Sequence, residues 1–250
     1  MQKLKFPKVI ILYGPPAAGK GTQAKLLKEK LQGFYHMDFG TELRHFVTRT
    51  IGDYFEETEK VDKLASEKEI AVGRRIKNRI SEFKPVLVED LRFVIEKSLT
   101  HQLASARGLI LEGPGRIEEE AVWLSNILSS QGISSSIFHL HVTMSEVIKR
   151  STNRFYVASQ NQPFSSYKAA KAACLEGEEP FQRPEDEDSG GIVQRYELLY
   201  SDVFAKIISI YQRLASSSLF VIDASKSKEA VAEEIDNYLK TFFESDSSED

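Results

Sequence analysis

The stretch KVIILYGPPAAGKGT, residues 8–22, decides the fold. Its first part, Lys8 to Tyr13, is a continuous apolar run, which is typical of a strand buried on both faces of a parallel sheet. The Gly- and Pro-rich residues that follow predict a tight loop, and Thr22 to Leu31 carries apolar side chains at helical spacing. Gly14 and the pair Gly19-Lys20 have the spacing of a phosphate-binding P-loop, in the strand-to-helix context that such a loop requires.

A P-loop binds phosphate through backbone N–H groups that small residues allow to turn inward, helped by the positive end of the following helix. Lys20 would add a point charge at the β- and γ-phosphates, and Thr22 lies close enough to orient phosphate or Mg²⁺. Residue 21 is Gly where the general motif has Ser or Thr, so the hydroxyl comes one place later. The alternative is a structural Gly-rich turn, which the flanking strand and helix disfavour.

Apolar runs and helical patterns alternate along the rest of the chain. Further strands are predicted at 34–38, 109–111, 136–142 and 219–222. Helices are predicted at 41–78, from Pro85 as first residue to 99, and at 121–127, 145–150, 192–214 and 229–242. This alternation predicts an α/β fold with a doubly wound parallel sheet of about five strands.

Three segments interrupt that pattern. Residues 155–190 hold polar and small residues with few large aliphatics, which indicates a mobile excursion from the sheet. The charged stretch 54–68 is interpreted as a solvent-exposed insertion. The acidic tail, residues 244–250, is expected to be disordered.

Composition excludes several classes of function. The chain has 250 residues and a formal net charge of −4, so no global positive field attracts nucleic acid or an anionic membrane. The single cysteine, Cys174, excludes an internal disulfide and a multi-cysteine zinc site, and it suits a reducing cytoplasm. No apolar run is long enough to cross a membrane. We therefore expect a cytoplasmic protein, and a monomer.

Gly19 to Gln23 (GKGTQ) resembles the adenylate kinase family, whose loop reads Gly-x-Pro-Gly-x-Gly-Lys-Gly-Thr-Gln. Six further segments resemble family motifs, in the family's order along nearly the whole chain: Phe39–Arg44, Glu112–Arg116, Arg150 with Arg154, Gly177–Asp186, Arg195 and Val221–Lys226. Short motifs are weak singly, but this series around a P-loop is hard to obtain by chance.

The resemblance implies a P-loop nucleoside monophosphate kinase, with ATP and AMP as substrates, in-line phosphoryl transfer, Mg²⁺ accompanying ATP, and no zinc. It implies a core (residues 1–38, 108–153 and 184–243), a helical acceptor-binding flap (residues 39–107) and a short lid (residues 154–183). In the family, the flap and lid close to exclude water. The catalytic residues that it implies are Lys20, Arg116, Arg154, Arg183 and Arg195.

The binding residues are implied in the same way. For ATP they are Gly14, Ala17, Ala18, Gly19, Lys20, Gly21, Thr22, Arg150, Arg154 and Lys226. For the acceptor they are Phe39, Arg44, Gly113, Arg116, Glu120, Arg183 and Arg195, and Glu112 would orient Mg²⁺ through water. The physical chemistry agrees, because gathered phosphates need positive charge and arginine grips phosphate bidentately. Backbone contacts expected near Phe83–Val86 have no clear register in this sequence.

Several positions depart from the family pattern. Ala17 replaces a Gly, Glu112 is one methylene longer than the family's Asp, and Pro114-Gly115 replaces Phe-Pro, which is expected to loosen the loop carrying Arg116. These changes leave a binding module without transfer activity as an alternative, and another small-molecule P-loop kinase as a second. Among the remaining residues, Trp123 is interpreted as helix packing and Cys174 as an inert thiol. His139 and His141 share one strand face without an evident third ligand.

Acceptor choice is the least determined property. Glu120 stands where adenylate kinases use Gln to bind adenine, and Phe39 replaces a small Thr near the base. A carboxylate accepts hydrogen bonds, whereas Gln donates and accepts; guanine offers two adjacent donors. One hypothesis is a relaxed or shifted acceptor preference, with GMP to be tested beside AMP. The alternative is that Glu120 points to solvent as one of three acids at a helix start.

Overall fold

A computed structural model describes residues 8–52, 65–213 and 217–244. The strands of its main sheet are β1 (Val9–Tyr13), β2 (Phe34–Asp38), β3 (Gly108–Glu112), β4 (Ser135–His141) and β7 (Ser217–Asp223). They pair in the order β2-β3-β1-β4-β7, and every pair is parallel. Val9 lies opposite Leu109 on one side and Ser135 on the other, so β1 is the central strand. The predicted five-stranded parallel sheet is confirmed.

Helices cover both faces of this sheet. They are α1 (Lys20–Lys30), α2 (Phe39–Ile51), α3 (Glu67–Ser81), α4 (Val88–Ser105), α5 (Glu118–Ser130), α6 (Met144–Thr152), α7 (Tyr167–Ala173), α8 (Pro184–Glu187), α9 (Ser189–Tyr196), α10 (Phe204–Gln212) and α11 (Lys228–Glu244). A hairpin of β5 (Phe155–Val157) and β6 (Gln160–Phe164) stands apart from the main sheet.

Alternate residues of β1 enter two separate apolar cores. Val9, Ile11 and Tyr13 share one core with residues of α2, α4, α5 and α10. Ile10 and Leu12 share the other with residues of α1 and α11. Because both faces of the sheet are covered, the sequence of β1 is an uninterrupted apolar run and does not alternate between apolar and polar residues. The parallel strands end at one edge, where the loop after β1 lies beside the ends of β2 and β3.

Two predicted helix boundaries are wrong. The helix predicted at 41–78 is divided, because Gly52 adopts a left-handed φ of 78° and ends α2. The prediction of Pro85 as a first helical residue is also wrong, since α4 begins at Val88 after Leu87. Pro85 instead lies in a loop and its carbonyl accepts a hydrogen bond from Arg79 Nε. Most of the insertion predicted at 54–68 lies outside the described residues.

The helix predicted at 192–214 is also interrupted. A π-helical turn, Glu197–Ser201, separates α9 from α10. Turns of this kind change the direction in which side chains project from a helix. Here the turn carries two neighbouring residues with different surroundings: Leu199 lines a pocket, whereas the buried Tyr200 hydroxyl lies 2.7 Å from His139 Nε2.

The excursion after α6 has more regular structure than its sequence predicts. Phe155 pairs with Phe164 across the hairpin, and Tyr156 forms a bridge with Phe181 on the returning chain. Apart from Glu244, the tail expected to be disordered lies outside the described residues. None of the helices in the described part of the chain combines the length and apolar character needed to cross a bilayer.

Candidate active site

The loop after β1 has the backbone conformation of an anion-binding turn. Gly14 has a φ of 150°, and a Cβ at this position would lie 2.4 Å from the Leu140 carbonyl oxygen. Gly19 caps α1 with a φ of 91°. Ala17 adopts a left-handed φ of 57° without being Gly, which stores strain of the kind often found at binding sites. The loop thus opens at the positive end of α1.

Lys20, the first residue of α1, projects back over this loop. Its ammonium donates to the carbonyls of Gly14 and Pro15 at 2.9 and 2.7 Å. Burial lowers the pKa of Lys20 to about 8; the charges of Arg116 and Arg195 act in the same direction, while Glu112 and Asp38 oppose it. An anion bound here would relieve that unfavourable environment.

Two arginines from distant segments converge beside Gly40. A Cβ on Gly40 would lie 2.9 Å from Arg116 Nη2 and 3.4 Å from Arg44 Nη2, so the missing side chain makes room for both guanidinium groups. Asp38 caps α2 through the Gly40 amide at 3.0 Å. Burial alone would raise the pKa of Asp38, but Arg44 and the cap hydrogen bonds lower it. This corner therefore holds a net positive charge suited to a phosphate.

A pocket opens at this corner between α2, the 80–86 segment and α9. Its polar side chains are arginines and one lysine, and the rest are apolar or glycine; the lining residues are Gly40, Arg44, Ile80, Phe83, Lys84, Pro85, Val86, Arg116, Arg195 and Leu199. Three predicted acceptor-binding arginines are thus brought together. The apolar residues and Lys84 were not assigned from the sequence, although the 83–86 segment was expected nearby. Phe83 has a left-handed φ of 57° that no sequence signal reveals.

The remaining predicted arginines, Arg150, Arg154 and Arg183, are not among the described residues that line the pocket. Arg150 donates to the Ala224 carbonyl at 2.8 Å and approaches that of Ala17 at 3.4 Å, so it connects the P-loop with the loop after β7. Arg154 forms two hydrogen bonds, of 2.9 and 2.5 Å, with the fully buried carboxylate of Asp186.

The same carboxylate also holds an arginine of the pocket. Arg195 Nη1 lies 3.6 Å from Asp186 Oδ1, so Asp186 pairs both with Arg154, just after α6, and with Arg195 of α9. The guanidinium of Arg183 instead lies 4.0 Å from the ring centroid of Tyr156. This placement leaves Arg183 outside the pocket lining in the described part of the chain.

Glu112 ends β3 beside the P-loop helix. Its Oε2 lies 3.1 Å from His36 Nε2, on the neighbouring strand β2. A Cβ on Gly21 would lie 3.1 Å from Glu112 Oε1, so the longer carboxylate occupies the space that a side chain at 21 would need. Gly113, with a φ of 73°, lies between Lys20 and Arg116. A carboxylate at this place fits a hydrated Mg²⁺ bound to triphosphate.

Two predicted acceptor-binding residues, Phe39 and Glu120, do not face the pocket. The Phe39 side chain is fully buried, with its ring centroid 6.4 Å from that of Trp123, so it does not face the pocket. Thr22 is exposed on α1, and the Lys226 side chain pairs with Glu234 at 2.9 Å. Glu120 is 3% exposed, so the alternative that it points to solvent is wrong. Its contacts are described below.

A group of aromatic and histidine side chains lies beneath the P-loop. The Tyr200 hydroxyl lies 2.7 Å from His139 Nε2 and 3.4 Å from His141 Nδ1. Burial lowers the pKa of His139 to about 4, and His141 contributes. His139 is therefore a neutral core residue at physiological pH. The interpretation of Trp123 as helix packing is confirmed by its place against Phe39.

Comparison with known proteins agrees with this geometry. Residues 13–161 match a family model described as an AAA domain. The chain is 31% identical to the adenylate kinase of Hyphomonas neptunium, over 92% of this chain and 97% of that protein. It is 28% identical to the adenylate kinase of Thermosipho melanesiensis (92% and 99% covered) and 29% identical to that of Kosmotoga olearia (90% and 96%).

Proposed function

The chain belongs to the adenylate kinase family of P-loop phosphotransferases, and from that membership we propose that it catalyses ATP + AMP = 2 ADP. The observation that carries the proposal is the convergence of Lys20, Arg44, Arg116 and Arg195 at the carboxyl edge of the sheet, between the P-loop and the pocket. Two phosphate groups brought into contact need this concentration of positive charge. A module that only binds ATP would need the P-loop but would have no need of the second group of positive charges, Arg44, Arg116 and Arg195.

In this mechanism the P-loop amides and Lys20 hold the β- and γ-phosphates of ATP. Lys20 leaves the carbonyls of Gly14 and Pro15 to do so. Arg44 and Arg116 hold the acceptor phosphate so that its oxygen faces the γ-phosphorus in line with the bond to be broken. Arg195, at the inner wall of the pocket, neutralises charge that spreads over the transferring group.

Mg²⁺ bound to ATP would neutralise charge on the β- and γ-phosphates. Glu112 would hold its water ligands, and the Thr22 hydroxyl of α1 is a second candidate for that role. His36 orients the Glu112 carboxylate from the neighbouring strand. The side chains present therefore suit a hydrated metal ion and require no cluster of protein ligands.

The lid supplies the remaining positive charge when it closes. Arg154 and Arg183 contact Asp186 and the Tyr156 ring, and in the proposed closed state they turn toward the bound phosphates. Closure of the lid, residues 154–183, and of the flap, residues 39–107, would exclude water and so prevent ATP hydrolysis. A cytoplasmic location and a monomeric state complete the proposal.

A second candidate is a relaxed choice of acceptor base. Neither Phe39 nor Glu120 faces the pocket, and the polar side chains in its lining are cationic. An adenine would then be recognised through backbone groups of the 83–86 segment. Recognition of this kind discriminates less strongly than a dedicated side-chain amide.

A coupled assay for ADP formation from ATP tests both candidates. Rates with AMP, GMP, CMP and UMP at equal concentration give the acceptor preference. Arg116→Ala should lower kcat/KM by about 100-fold, as loss of one preorganised donor does. Arg92→Ala, which removes an exposed arginine of α4, is the matched control and should leave the rate unchanged. ATP binding without ADP formation with any of the four acceptors would refute the kinase assignment.

A further inference from the structure

Glu120 differs from the two acids before it in α5. Glu118 and Glu119 are exposed, whereas Glu120 is 3% exposed. Its Oε2 accepts a hydrogen bond from the Arg116 backbone N at 3.0 Å, and the Gly115 amide also donates to this carboxylate. A carboxylate is costly to bury unless it is bonded in this way. Its side chain therefore serves the loop that precedes α5.

The second oxygen of Glu120 faces the interior. Oε1 is buried and has no hydrogen-bond partner among the described atoms, and the same is true of the hydroxyls of Tyr13 and Tyr211. Burial raises the pKa of both phenols, and the nearby charge of Glu120 contributes to each. Both hydroxyls thus stay protonated. The carboxylate is directed toward these core tyrosines and away from the pocket.

Tyr211 and Ile207 also pack against the loop that carries Gly115 and Arg116. Gly115 has a φ of 82°, and a Cβ on it would lie 2.8 Å from the Tyr211 hydroxyl and 3.1 Å from Ile207 Cγ2. Pro114-Gly115 was expected to loosen this loop; in the structure, the absence of a Cβ at Gly115 allows Tyr211 to pack directly against the backbone. On the opposite side of this anchored backbone, the Arg116 guanidinium reaches Gly40 and the pocket.

We propose that Glu120 is a positioning residue, whose carboxylate anchors the Gly115–Arg116 backbone so that the Arg116 guanidinium is held toward Arg44 and the acceptor phosphate. On this proposal Glu120 does not contact the acceptor base. The inference rests on the proposed function, since Arg116 matters to turnover only if a phosphate is bound in the pocket.

Three substitutions separate positioning from base recognition. Glu120→Gln keeps an oxygen that accepts from the two amides, so kcat and the AMP KM should stay within about threefold of the wild type. Glu120→Asp withdraws the carboxylate by one methylene, and Glu120→Ala removes it. Both should raise the AMP KM and lower kcat by about tenfold or more, because misplacement of a positioning group by about 1 Å has effects of this size. The ATP KM should change less than twofold.

Glu119→Ala, on the same turn but exposed, is the matched control and should behave as the wild type. The acceptor panel supplies the readout that a base-contacting residue would move. Positioning predicts that Glu120→Asp and Glu120→Ala each lower the rates with AMP, GMP, CMP and UMP by one common factor. Thermal unfolding of each variant identifies any that is not folded at the assay temperature, and Glu120→Asp is the milder change kept for that case.

Two results would overturn the proposal. One is a change of more than about tenfold in the AMP-to-GMP rate ratio of Glu120→Gln, which would assign the residue to the base. The other is an unaltered AMP KM and kcat in folded Glu120→Asp. AMP affinity measured by calorimetry keeps the test independent of turnover. If the wild type binds AMP more tightly than Glu120→Asp does but forms no ADP, the proposed function fails. The positioning role of Glu120 is then still supported.

Discussion

ATP binding is expected to take up protons at mildly alkaline pH. In the P-loop, burial lowers the pKa of Lys20 to about 8, and the ammonium donates to two backbone carbonyls. A bound triphosphate replaces that environment with several negative charges. Lys20 therefore returns to its protonated form when ATP binds, and the proton comes from the solvent.

The size of the effect follows from the pKa difference. The change from an ordinary value of 10.5 to about 8 corresponds to about 3 kcal/mol, at about 1.36 kcal/mol per unit. At pH 8.5 a group with a pKa of about 8 is about three-quarters deprotonated, so each ATP should take up about 0.7 proton. Since the bound state holds more protons, ATP affinity should fall as pH rises above 8, by at most about tenfold per unit.

Calorimetry measures this uptake directly. ATP is titrated at pH 8.5, without acceptor, into protein in two buffers that differ in ionisation enthalpy, and the difference in heat gives the number of protons. Lys20→Arg is the matched control, because arginine stays charged at this pH and should abolish the uptake. Cys174→Ser is a second control, since thiols titrate in the same range; it should leave the uptake unchanged.

Uptake below about 0.2 proton in the wild type, or equal uptake in Lys20→Arg, would refute the reasoning. If Lys20→Arg fails to bind ATP, the titration is followed by NMR of labelled lysine side chains in the free protein. The Lys20 resonance is identified by its absence from the variant. A midpoint near the ordinary lysine value would then contradict the expected environment.

Three further predictions concern stability. Ala17→Gly should raise the free energy of unfolding by about 1 kcal/mol in urea titrations, because Ala17 has a φ of 57° and Gly relieves that strain. Acid should destabilise the protein between pH 6.5 and 4, where unfolded His139 takes up a proton that the folded residue, with a pKa of about 4, does not. The free energy of unfolding should fall by at most about 3 kcal/mol over this range, as measured by urea titrations at stepped pH. The fall should be smaller in His139→Gln. Asp186→Asn should lower the free energy of unfolding by about 1–3 kcal/mol, measured by urea titration. This loss is smaller than for a fully buried ion pair because the Arg154 side chain remains 17% exposed.

The parts of the fold that depend on local sequence were predictable. A buried parallel strand, a loop of small residues and a helix occupy one contiguous stretch, and their order leaves few alternatives. The convergence of Arg44 and Arg116 was predictable only through the resemblance, because no local pattern places residues from α2 and the β3–α5 loop beside Gly40.

The direction of individual side chains was not predictable in the same way. The orientation of Glu120 depends on the amides of Gly115 and Arg116, which the sequence gives no means to place. The 83–86 wall of the pocket was missed in detail because Phe83 takes a conformation favoured by Gly, and the insertion predicted at 54–68 precedes it. The π-helical turn was missed because its sequence is compatible with a continuous helix.

The pairing of the main sheet has a consequence for biosynthesis. Val9 has Leu109 and Ser135 as neighbours, and Phe34 has Gly108, so the first two strands leave the ribosome long before their partners exist. Until then the nascent chain carries an unpaired apolar strand, a species prone to aggregation and slow to fold. The 155–164 hairpin, whose strands are adjacent, closes as soon as it is translated. Of the described strands, β1, which leads into the predicted ATP-binding loop, therefore waits longest for its first partner during translation.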